Sequence, residues 1–66
     1  MSVIKVLEIL TSSDKSWEAA AHNAVAEASM TVREIRSVNI QNFSATVKDG
    51  KISEYRVNCK ISFEVK

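Results

Sequence analysis

From Tyr55 to Val65 the chain alternates with period two: Tyr55, Val57, Cys59, Ile61, Phe63 and Val65 are apolar or aromatic, and Arg56, Asn58, Lys60, Ser62 and Glu64 lie between them. Successive side chains of a strand point to opposite faces. The segment therefore predicts one long strand with an apolar face and a polar face. Val3 to Leu10 predicts a first strand that is apolar in both phases: Val3, Leu7 and Ile9 in one, Ile4, Val6 and Leu10 in the other. Such a strand is expected to be covered on both faces. A polar cluster, Thr11 to Ser16, follows and is rich in residues that cap helices. Trp17, Ala20, Ala21, Ala24, Val25 and Ala28 then recur at helical spacing, with Glu18, His22, Asn23 and Glu27 on the other side. Glu18 falls in the first turn, where the helix dipole favours an acid. The alanines make the apolar face thin, so the helix can sit close to a sheet.

Glu34 to Lys48 predicts the second strand. Val38 and Ile40 share one phase, and Phe43, Ala45 and Val47 share the other. One extra residue, Gln41 or Asn42, reconciles them as a β-bulge. Asp49-Gly50 is a turn signal that, with Lys51, closes a hairpin onto the third strand. The order strand, helix, strand, strand gives an α+β fold. Its sheet is three-stranded and antiparallel, in order 1-3-2, packed on one helix through a right-handed crossover. The helix is expected over Tyr55, Val57, Cys59, Ile61 and Phe63. The opposite, polar face then carries Ser37, Asn39, Gln41, Arg56, Asn58 and Lys60. The alternation assigns Ser37 and Arg56 to one face; it does not bring them into contact.

Sixty-six residues make one domain, 1–66. A chain this short buries only roughly 60% of the surface its unfolded form exposes. Such domains usually need a disulfide, a metal or oligomerisation. One Cys excludes an internal disulfide, and one His with one Cys falls short of the four ligands of structural zinc. Self-association is the device that remains. A net charge of +1, from nine Lys plus Arg and eight Asp plus Glu, argues against nucleic acid as the main partner. No apolar run approaches the roughly 20 residues of a membrane span. Met1-Ser2-Val3-Ile4-Lys5 lacks the apolar core of a signal peptide. With the lone thiol, this points to the cytoplasm. The absence of proline and the single Gly50 exclude flexible linkers.

Several stretches, in this order and spacing, carry a resemblance. They are the short first strand, Thr11-Ser12-Ser13, and Ser16-Trp17-Glu18-Ala19-Ala20-Ala21 opening the helix. Thr31-Val32-Arg33-Glu34-Ile35-Arg36 then leads into the second strand, and Tyr55 and Phe63 lie on the third. The chain resembles the dodecins, small bacterial and archaeal proteins that assemble as hollow dodecamers. The resemblance covers nearly the whole chain. It implies a homododecamer that binds flavins (FMN, FAD or riboflavin) stacked in pairs and stores or sequesters them. Three positions depart from the flavin-binding members. A tryptophan that stacks on the flavin ring stands there in place of Ser37. A glutamine that hydrogen-bonds the ring edge stands in place of Arg56, and a glycine in place of Thr11. Ser37 has no π-face. Stacking on a nucleobase is worth roughly 1–3 kcal/mol, so its loss weakens binding about ten- to a hundredfold.

Ser37, Arg56, Asn42 and Asn58 are the candidate ligand-binding residues. Ser37 is either a pocket residue on a symmetry axis or a plain surface serine. Arg56 can fork onto an anion such as phosphate, or it can form an intersubunit or cross-strand ion pair, with Glu34 or Glu54 as candidate partners. Asp14, Asp49 and Glu54 are candidates to hold a hard divalent cation at a subunit contact, although no EF-hand spacing is present. Cys59 lies in the apolar phase and reads as a buried, inert thiol. His22 reads as a solvated or contact residue, and Trp17 as a core or interface residue. There is no Gly-rich phosphate loop, no HExxH and no nucleophile elbow, so no enzyme is expected. The leading expectation is a dodecin-like storage protein for flavin or a related small cofactor, with weakened flavin affinity. The alternative is a structural or cation-holding dodecameric cage that no longer binds flavin.

Overall fold

The computed structural model describes residues 3–65; Met1, Ser2 and Lys66, which belong to the domain 1–66 expected above, lie outside the described residues. Four elements follow in order: β1 (Val3–Ser13), α1 (Trp17–Ser29), β2 (Ile35–Lys48) and β3 (Lys51–Val65). The sheet order is β1-β3-β2, and both neighbouring pairs are antiparallel. The architecture is the α+β fold that the alternation implies.

β1 runs past Leu10 as far as Ser13. Thr11, Ser12 and Ser13 were expected in the cluster before the helix, and instead they pair with Val57, Arg56 and Tyr55. Ser16 alone supplies the cap, its hydroxyl accepting from the Ala19 N–H at 2.9 Å. The polar stretch also ties strand to helix. Thr11 Oγ1 donates to the Ala20 carbonyl at 2.6 Å, and Asn23 Nδ2 donates to the Ser12 carbonyl at 3.1 Å.

Ala20, Ala24 and Ala28 form one ridge of α1, four residues apart, and are 0%, 0% and 2% exposed. Their small side chains let the helix lie directly on Val57, Cys59 and Ile61, which are fully buried. Ile9, Val25, Val32, Ile35 and Ile40 close the cluster around them. The helix ends without a glycine; the Thr31 and Val32 N–H groups both turn back to the Ala28 carbonyl, at 3.1 and 2.9 Å.

Within one subunit β1 is covered on one face only. Ile4, Val6 and Leu10 are 51%, 60% and 56% exposed on the side away from the helix. β1 is an edge strand, and the one helix spans only one face of the sheet. The bulge falls at Gln41, where pairing passes from Ile40 to Asn42. Two further irregularities, between Ile35 and Ser37 and between Thr46 and Val47, interrupt the ladder. Asp49 (φ 53°) and Gly50 (φ 74°) take left-handed conformations in the β2–β3 turn, as a tight hairpin requires. The β2–β3 ribbon carries Phe43, Val47 and Ile52 largely exposed.

Candidate functional site

The register lays out the helix-free face in rows across β1, β3 and β2. Ser12, Arg56 and Ser44 form one row, and Leu10, Asn58 and Asn42 the next. Glu8, Lys60 and Asn39 follow, then Val6, Ser62 and Ser37. All four candidate residues therefore share this face. Asn42 and Asn58 stand directly opposite one another. Ser37 stands opposite Ser62, and their hydroxyls hydrogen-bond. Arg56 lies six positions from Ser62 along β3, roughly 20 Å at a rise of about 3.3 Å per residue. Ser37 and Arg56 thus belong to separate places on one subunit and can line one cavity only with the help of a second copy.

Within one subunit Arg56 makes no cross-strand ion pair; among the described residues the pairs are Arg36–Glu34 and Arg36–Glu64. The cause is local. Arg36 occupies the irregularity at the start of β2, and the Glu64 N–H donates to the Glu34 carbonyl at 3.0 Å. Both carboxylates are thereby held beside Arg36, whose guanidinium the hydrogen bond and charge of Glu64 keep above its ordinary pKa. The two Glu–Arg contacts lie beside a cleft of about 460 Å³ that includes Arg33, Phe63 and Val65. Nothing in the alternation signals this corner, because a bulge and the left-handed Glu34 (φ 59°) create it.

Arg56 has no ion-pair or hydrogen-bond partner among the described residues. The Asn58 Oδ1 is closed from water and also lacks a hydrogen-bond partner. Asp14 lies between β1 and α1, Asp49 in the hairpin turn and Glu54 on β3. Among the described residues no three His, Cys, Asp or Glu side chains gather as a metal site. A cation held by these three residues therefore requires several subunits.

Every aromatic ring lies on the helix side. Trp17 packs edge-on against Tyr55 (centroids 4.8 Å apart) and Phe43 (6.1 Å), and its Nε1 donates to the Ser44 carbonyl at 2.8 Å. Phe63 continues the buried phase of β3, opposite Ile35. The helix-free face consequently offers hydrogen-bonding groups and no π-surface. Cys59 is buried as expected; its thiol points to the Ile9 carbonyl at 3.5 Å, and burial pushes its pKa up. His22 is exposed on the helix flank, beside a groove of about 290 Å³ with Glu18, Val25 and Val38.

Residues 3–66 match the family model described as Dodecin. The chain belongs to the dodecin family. It is 40% identical over 67 residues to calcium dodecin of Mycobacterium tuberculosis (strain ATCC 25618 / H37Rv), covering 100% of this chain and 93% of that protein. The crystal structure of that calcium dodecin, described as a calcium-chelating antigen with a novel calcium-binding site, superposes with a TM-score of 0.85. Its sequence identity is 38%, over 98% of this chain and 93% of that one. An arginine-to-alanine variant of the dodecin of Thermus thermophilus superposes with a TM-score of 0.95 at 26% identity, covering 100% of this chain and 98% of that one. The dodecin family binds flavins, and the Mycobacterium tuberculosis relative carries calcium in its name. No helix among the described residues is long and apolar enough to cross a membrane.

Proposed function

We propose that this dodecin is a non-enzymatic binding and storage protein that works as a homododecamer. Its ligand is a flavin (FMN, FAD or riboflavin) or a related small cofactor, held more weakly than by members with a stacking tryptophan. One observation carries this reading. The helix-free face presents Ser37, Asn42, Arg56 and Asn58, while every aromatic ring stands on the other side of the sheet. Exposed Ile4, Val6 and Leu10 on β1, and Phe43, Val47 and Ile52 on the ribbon, support assembly. An apolar surface of this kind is the ordinary mark of an interface. The partners are other copies of the chain and a small molecule, with no nucleic acid and no membrane. A lone reduced thiol accords with a cytoplasmic site. Titration of riboflavin and FMN with the protein, followed by fluorescence quenching, tests the reading. Weak, saturable quenching is expected; none at protein concentrations of about 1 mM would remove flavin as the ligand.

A second reading has a specific observation in its favour, the 40% identity to calcium dodecin. It is a cage that holds a divalent cation, with Asp14, Asp49 and Glu54 from different subunits as the oxygen donors. Calcium removal by a chelator then lowers the melting temperature or the assembled mass. Unchanged values in both measurements exclude it.

A further inference from the structure

The hairpin turn is the one place in the chain where an aspartate precedes a glycine. Asp49 and Gly50 are both exposed at the tip of the β2–β3 ribbon, and both hold left-handed φ angles, 53° and 74°. Among the described residues the Asp49 carboxylate has no ion-pair or hydrogen-bond partner, and the Gly50 N–H donates to no acceptor. Nothing lies within 4 Å of the position a Gly50 Cβ would take. The nitrogen next to this carboxylate is therefore unhindered and unbound. The ladder that closes the turn is short. An irregularity separates Thr46 from Val47, so only the pairs Val47–Ile52 and Lys48–Lys51 lie beyond it. Val47 and Ile52 are 68% and 51% exposed. A tip with so few buried contacts opens at little cost.

Asp14 is the chain's other aspartate and supplies the contrast. The residue after it is Lys15, whose Cβ stands beside the nitrogen and whose N–H is taken by Ser13 Oγ at 3.0 Å. We infer that Asp49 is a modification site, converting to isoaspartate in the folded protein. The Gly50 nitrogen attacks Cγ of the protonated Asp49 carboxyl. A C–N bond forms, the C–OH bond breaks, and the N–H proton leaves with the hydroxyl as one water. The five-membered succinimide then takes back one water. Opening at one carbonyl restores aspartate. Opening at the other leaves the chain running through Cγ, with a free α-carboxylate. The exchange needs no oxidant, no reductant and no co-reactant but water. Isoaspartate adds one methylene to the backbone of a turn built from Asp49 and Gly50 alone. It also presents the α-carboxylate that an isoaspartyl methyltransferase recognises.

The test ages the assembled protein at physiological temperature in mildly acidic buffer, beside a sample held unfolded in urea. Isoaspartate is counted by methyl transfer from S-adenosylmethionine with an isoaspartyl methyltransferase. It is placed by digestion with Asp-N, which cuts before aspartate and not before isoaspartate. One digest thus reads both Asp14 and Asp49. Resistance to cutting before Asp49 should grow in the folded protein at a rate within about tenfold of that in urea, the range of a turn that opens locally. Cutting before Asp14 should stay complete. Asp49→Glu, whose ring would need six members, should lose the methylation signal. A folded protein modified more than about tenfold slower than the unfolded chain overturns the inference, because the turn or a neighbouring subunit then protects Asp49. A signal that survives in Asp49→Glu, or that maps to Asp14, overturns it as well. None of these outcomes touches the storage reading, which rests on the helix-free face.

Discussion

Replacing Trp17 tests how the helix is anchored to the ribbon. Trp17 opens α1, remains 37% exposed, and makes three separable contacts. Its Nε1 donates to the Ser44 carbonyl at 2.8 Å, and its ring meets Tyr55 and Phe43 edge-on. Trp17→Phe removes the hydrogen bond and keeps a ring. At this partly exposed site the loss is about 0.5–1 kcal/mol. Trp17→Ala also removes both ring pairs, each about 0.5–1.5 kcal/mol. Adding part of the buried area of the indole brings the total to about 3 kcal/mol, below the 3–5 kcal/mol typical of a fully buried aromatic. Stability and assembly are inseparable in an oligomer. The assay is therefore urea unfolding at one fixed subunit concentration, followed by far-UV circular dichroism. Phe should fall close to the parent and Ala well below it. If the two variants lose the same stability to within about 0.5 kcal/mol, the ring pairs contribute nothing and the anchoring argument is wrong.

Gly50→Ala should destabilise the protein by about 1 kcal/mol. The cause is the backbone alone, since Gly50 sits at φ 74° with nothing near enough to clash with a new Cβ; a neutral result in the same urea assay contradicts it. Cys59 should resist maleimide at neutral pH until the protein unfolds, because its thiol is buried and its pKa raised; fast labelling of the native protein refutes this. Light scattering should give a mass near twelve times the 7.3 kDa subunit, and a stable monomer at micromolar concentration ends the assembly argument.

The fold was legible because period two is strict on β3 and the alanine ridge of α1 is regular. The phase slip between Ile40 and Phe43 was also visible, and it resolves to a bulge at Gln41. The extent of β1 was hidden. Thr11 to Ser13 read as helix-capping residues, yet they pair with β3 and leave capping to Ser16. The Arg36–Glu34–Glu64 corner was hidden as well, since it depends on a second irregularity that no hydrophobic residue marks. Alternation placed Ser37, Asn58 and Arg56 on one face. It could not say that Ser37 would spend its hydroxyl on Ser62, or that Asn58 would stand opposite Asn42. Those facts follow from register, which alternation alone leaves free by steps of two residues.

The central claim is that this dodecin keeps the ligand-binding face of its family without a stacking surface. The most direct measurement is flavin titration of the parent beside the double variant Ser37→Trp, Arg56→Gln. Supplying the ring should tighten binding about ten- to a hundredfold, less the small contribution of the lost Ser37–Ser62 hydrogen bond. A double variant that quenches flavin fluorescence no better than the parent contradicts the claim, because the face would then lack the shape of a flavin site as well as its side chains.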